Sequence, residues 1–236
     1  MPQNKIRIEK LSKQFGRIYA LKEINLELNS GECLSIFGRN GAGKTTFLKI
    51  LSTLLPQTEG EVFYNETPFS KLEKLEIKRK IGLISHNLFL YSGLTAEENL
   101  SFFAELYDLE NPKERIAEVI EKVGLSTRKR EFVRNFSRGM QQRLGIARAF
   151  LHNPEILLLD EPYTGLDQNG TEILNSLLNT FNTNEKLVIL VTHNIEQGLG
   201  ISDKVTIFEN GKVVFLEDSK KLNLQTMREA YKEFVN

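Results

Sequence analysis

At 236 residues the chain is long enough for one or two domains with a full core. Lys and Arg total 31 and Asp and Glu total 31, so the formal net charge is zero, which argues against a nucleic-acid binder built on a broad basic face. No apolar run approaches the roughly 18 residues of a membrane span and no signal peptide is read at the start, so the sequence predicts a soluble, cytosolic protein that serves a membrane only by docking onto something that spans it.

Residues 5–29 alternate as two antiparallel strands, with Ile6, Ile8 and Leu11 on one inward face and Ile24, Leu26 and Leu28 on the other. Phe15 lies between them. An aromatic ahead of a phosphate loop can stack on a nucleobase or cover the end of a sheet, and spacing leaves both open. The single cysteine, Cys33, falls in the next predicted strand, 32–37, as a small apolar residue with no disulfide partner.

That strand leads into Gly38-Arg39-Asn40-Gly41-Ala42-Gly43-Lys44-Thr45-Thr46, which fits G-x-x-x-x-G-K-[ST] at every position. A helix follows, marked by Phe47, Leu48, Ile50 and Leu51. Glycines in such a loop let backbone N–H groups point inward at a polyphosphate, and the helix N-terminus adds its dipole. Lys44 reaches the outer phosphates, and the Thr45 hydroxyl is a Mg²⁺ ligand. The stretch implies binding of a nucleoside triphosphate.

A strand is expected at 60–64, a turn at Asn65-Glu66, a charged helix from Ser70 to Lys80 and a strand at 81–84. The period then becomes helical. Thr95-Ala96-Glu97-Glu98 is a capping box, Asn111-Pro112 caps a second helix, and Ser137 caps a third carrying Leu144, Ile146, Ala147, Ala149 and Phe150. After this insert, Ile156-Leu157-Leu158-Leu159 suits a strand covered on both faces. A helix at 168–181, strands at 187–191 and 204–208, an Asn210-Gly211 hairpin and a terminal helix with Leu224, Met227, Tyr231 and Phe234 on one face complete the pattern. The expected class is α/β: one domain, 1–236, with a nucleotide-binding core of mixed sheet (1–86 and 153–236), an N-terminal antiparallel β subdomain and a helical insert (87–152).

Three polar residues end buried strands on the predicted nucleotide edge. Asp160 can hold Mg²⁺ through water, Glu161 can position or deprotonate the attacking water, and His193 can donate to the γ-phosphate. His152, in a helix-end loop, is assigned no role.

Over nearly its whole length the chain resembles the ATP-binding subunits of ABC transporters. Phe136-Ser137-Arg138-Gly139-Met140-Gln141-Gln142-Arg143 is similar to that family's signature, Thr164-Gly165-Leu166-Asp167 to its D-loop, and Thr192-His193 to its switch histidine. The resemblance implies ATP hydrolysis with Mg²⁺, adenine stacking on Phe15, and a head-to-tail dimer, with itself or a related ATPase subunit. In that dimer Ser137 and Gly139 close the partner's site and Asp167 links the two sites. It also implies a separate integral-membrane subunit and a place on the cytoplasmic face of the membrane.

Three positions depart from the family's pattern. Arg138 stands where glycine is common, Met140 where glutamine is usual, and His86 where a glutamine usually contacts Mg²⁺ and joins the core to the insert. Histidine there resembles the heme-exporter ATPases of cytochrome c maturation, so the expectation is an exporter of heme or another small hydrophobic molecule. Phe89, Leu90 and Tyr91 then either line a docking groove or pack against the insert. A soluble relative acting in iron–sulfur cluster assembly is the alternative.

Overall fold

The computed structural model describes residues 5–182 and 186–235. The two N-terminal strands, β1 (Lys5–Phe15) and β2 (Ile18–Asn29), are joined by a tight hairpin in which Phe15 pairs with Ile18. With β4 (Glu59–Tyr64) and β5 (Thr67–Pro68) they form a four-stranded antiparallel sheet in the order β2-β1-β4-β5. The alternation holds: Ile6, Ile8, Leu11, Ile24, Leu26 and Leu28 are all buried.

The main sheet has six strands: β3 (Cys33–Phe37), β6 (Ile81–Ile84), β7 (Ile156–Asp160), β8 (Leu187–Val191), β9 (Lys204–Glu209) and β10 (Lys212–Asp218), in the order β10-β9-β3-β8-β7-β6. It is mixed: β10 pairs antiparallel with β9 through the Asn210-Gly211 hairpin, and the other pairings are parallel. Every residue of β3, β7 and β8 is buried, as expected of aliphatic strands covered on both faces. Burial also pushes the Cys33 thiol up to about 12, so it remains a neutral, inert apolar group.

The helices are α1 (Lys44–Leu51), α2 (Lys74–Lys80), α3 (Ala96–Leu106), α4 (Pro112–Lys122), α5 (Arg138–Phe150), α6 (Gln168–Asn182), α7 (Ile195–Ile201) and α8 (Leu224–Phe234). Helix α3 carries the full capping box at Thr95 and Glu98, and Ser137 Oγ caps α5 by accepting from Met140 N. Asn111 precedes α4, but its side chain makes no cap bond; Pro112 at the first turn starts that helix. The charged helix expected from Ser70 is shorter. Residues 69–71 form one 3₁₀ turn, Leu72 is extended (φ −92°, ψ 147°), and α2 begins only at Lys74. Partly buried Phe69 and Leu72 pack against the core beside β4, so tertiary anchoring overrides the local helical charge pattern.

Two cores flank the main sheet. One joins α3, α4 and α5 to Leu157, Leu159, Val188 and Leu190. The other joins α1 and the antiparallel sheet to Leu34, Ile36, Leu158 and Ile189. A third cluster, around Met227 and Phe37, seats α8. Among the described residues no helix is long and apolar enough to cross a membrane.

Candidate nucleotide site

Because β3, β8 and β7 are parallel neighbours, their C-terminal ends meet on one edge. The phosphate loop follows β3, Asp160 ends β7, and His193 lies just beyond β8. Strand β8 separates β3 from β7 by two interstrand spacings, about 10 Å. Helix α1 closes that gap, and Thr45 Oγ1 donates to Asp160 Oδ2 at 2.8 Å. The pair is 115 residues apart in sequence.

The loop owes its shape to glycine. Gly43 holds φ +102°, and a Cβ there would lie 2.8 Å from Leu21 Cδ2 and collide with the Ala20 carbonyl oxygen of β2. Gly38 (φ +144°) likewise leaves no room beside the Phe208 carbonyl. Lys44 folds back over the loop, donating from Nζ to the Gly38 carbonyl at 2.6 Å and the Arg39 carbonyl at 2.9 Å. Partial burial lowers its pKa, opposed by Glu161, Asp160 and Glu209. Its ammonium is thus held by neutral carbonyls, which an anionic phosphate can outcompete.

Around the loop is a cavity of about 200 Å³, lined by Ala20, residues 40–46 from Asn40 to Thr46, His86, Asp160, Glu161 and Val191. The structure therefore gathers Asn40, Gly41, Ala42, Gly43, Lys44, Thr45, Thr46, His86, Asp160 and Glu161 into one wall. His193 lies outside this wall but joins it through its Nδ1, 2.8 Å from Glu161 Oε2. Glu161 has φ +51°, a left-handed conformation that is costly for a residue with a Cβ and turns its carboxylate toward His193. Phe15 also stands outside the wall, half exposed at the end of the hairpin that supplies Ala20.

The signature residues form a separate surface. Ser137 and Arg138 are exposed at the α5 N-terminus, and Met140 is partly buried against the helical core. Gly139 approaches the Gly165 carbonyl, and the Arg138 side chain lies over Gly165, with Nε 3.1 Å from the position of a Cβ there. Signature and D-loop thus pack together within one chain. Asp167 Oδ1 accepts from Gly170 N at 2.7 Å, capping the first turn of α6.

Two residues near these segments escaped the sequence reading. Gln142 Nε2 donates to the Pro162 carbonyl at 2.9 Å, tying α5 to the turn after Glu161. Its place in the run 136–143 was the available signal. Arg148 is buried, with its guanidinium 5.4 Å from the Phe89 ring and 5.2 Å from that of Phe103, and donates to the Leu83 carbonyl at 2.6 Å. A charge on a helix face gave no sign of this burial.

A second, larger cavity of about 490 Å³ is lined in part by Asn87, the residue after His86. Leu75, Leu83, Phe89, Leu90, Tyr91, Phe102 and Leu106 give it apolar walls, with Lys78 and Arg148 among them. Phe89, Leu90 and Tyr91 all line this cavity, and packing on the insert divides them. Phe89 and Leu90 pack on the helical core, whereas Tyr91 is half exposed with its ring edge-on to Phe102 at 5.1 Å.

Fold and site together define an α/β protein with a phosphate loop, a carboxylate facing its threonine, and a second carboxylate paired with a histidine. Residues 21–164 match the family model described as ABC transporter. The chain is 33% identical over 211 residues to the linearmycin resistance ATP-binding protein LnrL of Bacillus subtilis (strain 168), covering 89% of this chain and 68% of that protein. It is 34% identical over 229 residues to the methionine import ATP-binding protein MetN of Clostridioides difficile (strain 630), covering 94% and 71%. Among solved structures, a dimeric ATP-binding cassette in a post-hydrolysis state with ADP and Pi bound superposes with a TM-score of 0.82 at 31% identity, covering 91% of this chain and 98% of that one. The chain belongs to the ABC transporter family, as an ATP-binding subunit that hydrolyses ATP.

Proposed function

We propose that this chain powers an exporter whose membrane-spanning part is a separate subunit, moving heme or another small hydrophobic molecule outward from the cytoplasm. The observation that carries the coupling is that one short segment serves both cavities. His86 lines the nucleotide cavity, and Asn87, Phe89, Leu90 and Tyr91 line the apolar groove. A change at the phosphates therefore has a direct path to a helix docked in the groove. Apolar walls with Lys78 and Arg148 suit an amphipathic helix bearing an acidic residue.

In this reading Lys44 and the loop amides bind the phosphates and Phe15 stacks on the adenine. Thr45 and Asp160 present hard oxygen donors, the chemistry Mg²⁺ prefers. His86 offers a nitrogen, better suited to a bound water than to the ion. Glu161 accepts the proton of the attacking water, and His193 holds Glu161 and the γ-phosphate. Ser137, Arg138, Gly139 and Met140 face ATP on a second subunit, identical or related, with Asp167 between the two sites. The outward direction rests on His86 and on the likeness to a resistance protein; the likeness to an import protein makes direction a matter for experiment.

The test is affinity purification of tagged Glu161→Gln from detergent-solubilised membranes with ATP present. A co-purifying polytopic protein is the expected result, and a heme absorbance band on it identifies the cargo. Recovery only with a soluble partner would overturn the reading in favour of a soluble ATPase such as a cluster-assembly factor.

A further inference from the structure

Phe15 stands at the end of β1, half exposed, with two ring faces to fill. One is taken: the Lys13 ammonium sits over the ring, 5.2 Å from its centroid. That ammonium is itself anchored, donating to the Pro56 carbonyl at 2.7 Å. Pro56 lies in the turn that follows α1, the helix whose N-terminus is the phosphate loop. The same turn is fastened to β1 at two further points: Thr58 N donates to the Ser12 carbonyl at 2.8 Å, and Gln14 N donates to Thr58 Oγ1 at 3.0 Å.

We propose that Lys13 is a positioning residue for the nucleobase, holding the Phe15 ring at a fixed place relative to the phosphate loop and leaving its far face for a purine. The proposal rests on the reading of Phe15 as the stacking platform. An exposed aromatic at a hairpin end loses rotamer freedom when a ligand stacks on it, and a ring already held pays less of that cost. A cation against one face also draws on the ring's electron density, which favours an electron-rich base on the other. Tyr19, on the same hairpin, lacks this arrangement: Lys22 Nζ is 6.0 Å from its ring centroid and bonds to no described residue. Neither Lys13 nor Phe15 offers a hydrogen bond to a base edge once Lys13 is engaged, so adenine and guanine nucleotides should be held alike.

The experiment compares steady-state ATP and GTP hydrolysis with inhibition by inorganic tripolyphosphate, which has phosphates and no base. Lys13→Ala should raise KM for both nucleotides about two- to fivefold, the range expected from an exposed cation–π contact, with kcat and the tripolyphosphate inhibition constant unchanged. Lys13→Arg should restore KM, and in a Phe15→Ala background Lys13→Ala should add nothing. If Phe15→Ala raises KM while Lys13→Ala does not, the proposal is wrong and the platform stands. If Phe15→Ala leaves KM unchanged, the platform reading fails first and the proposal falls with it. An equal loss of tripolyphosphate binding in Lys13→Ala would mean general loosening of the loop and would likewise overturn it.

Discussion

Substituting Gly43 by alanine tests whether the phosphate loop is shaped by its contact with the antiparallel sheet. Gly43 holds φ +102°, where an L-residue costs about 1–2 kcal/mol. The added methyl also collides with the Ala20 carbonyl and lies 2.8 Å from Leu21 Cδ2. The carbonyl is backbone and cannot rotate away, so overpacking adds about 1–3 kcal/mol. Alanine's lower entropy in the unfolded chain returns about 0.5–1 kcal/mol. The net loss is about 1–4.5 kcal/mol, and a chain of 236 residues has an unfolding entropy near 0.5 kcal/mol/K, so Tm should fall by about 2–9 °C. If the loop instead moves off β2 to relieve the contact, its N–H groups turn from the phosphates and KM for ATP rises. Gly41 is the control: its φ is +86°, yet a Cβ there meets nothing within 4 Å, so Gly41→Ala should lose less. The assays are thermal unfolding without nucleotide and steady-state ATPase kinetics. Gly43→Ala with wild-type Tm and wild-type KM would refute the reasoning.

Leu158→Ala, fully buried in β7, should cost about 2–5 kcal/mol, read as a lowered denaturant midpoint with unchanged slope. His152 is partly buried with its ring stacked on Tyr107 at 3.9 Å, and that desolvation pulls its pKa down to about 4 from 6.5. Between these values the unfolded chain binds the proton more readily, so stability is fully present above about pH 6.5 and is lost as pH falls toward 4. Denaturant melts across that window should be flatter for His152→Phe, which keeps a ring for the stack; parallel curves would remove the assignment. His193→Ala removes the hydrogen-bond partner of Glu161 and should lower kcat by about 10²-fold or more with little change in KM, whereas an unchanged kcat would mean that the pair is structural.

What could be read from the sequence followed how local the determinants are. The phosphate loop, the capping box at Thr95 and the aliphatic strands are written in consecutive residues. Asp160 was legible because it ends such a strand, although its bond to Thr45 needs the strand order to be understood. Residues placed by distant backbone were not legible. His152 was given no role, yet its Nε2 lies 3.1 Å from the Ile81 carbonyl, a partner 71 residues away. Nothing local marks Lys13, because its anchor, Pro56, is 43 residues further on. The region 70–80 misled for the opposite reason: alternating Lys and Glu satisfied a helical pattern locally, while Phe69 and Leu72 were being held by the core.

We propose that Glu161 drives ATP hydrolysis in a site completed by a second subunit. The most direct measurement is ATP turnover by purified Glu161→Gln together with its size in solution with ATP and Mg²⁺. Turnover reduced by about 10²–10⁴-fold, with ATP retained and an ATP-bound dimer accumulating, is the predicted result. Hydrolysis at the wild-type rate would contradict the assignment, and a monomer that holds ATP would contradict the shared site.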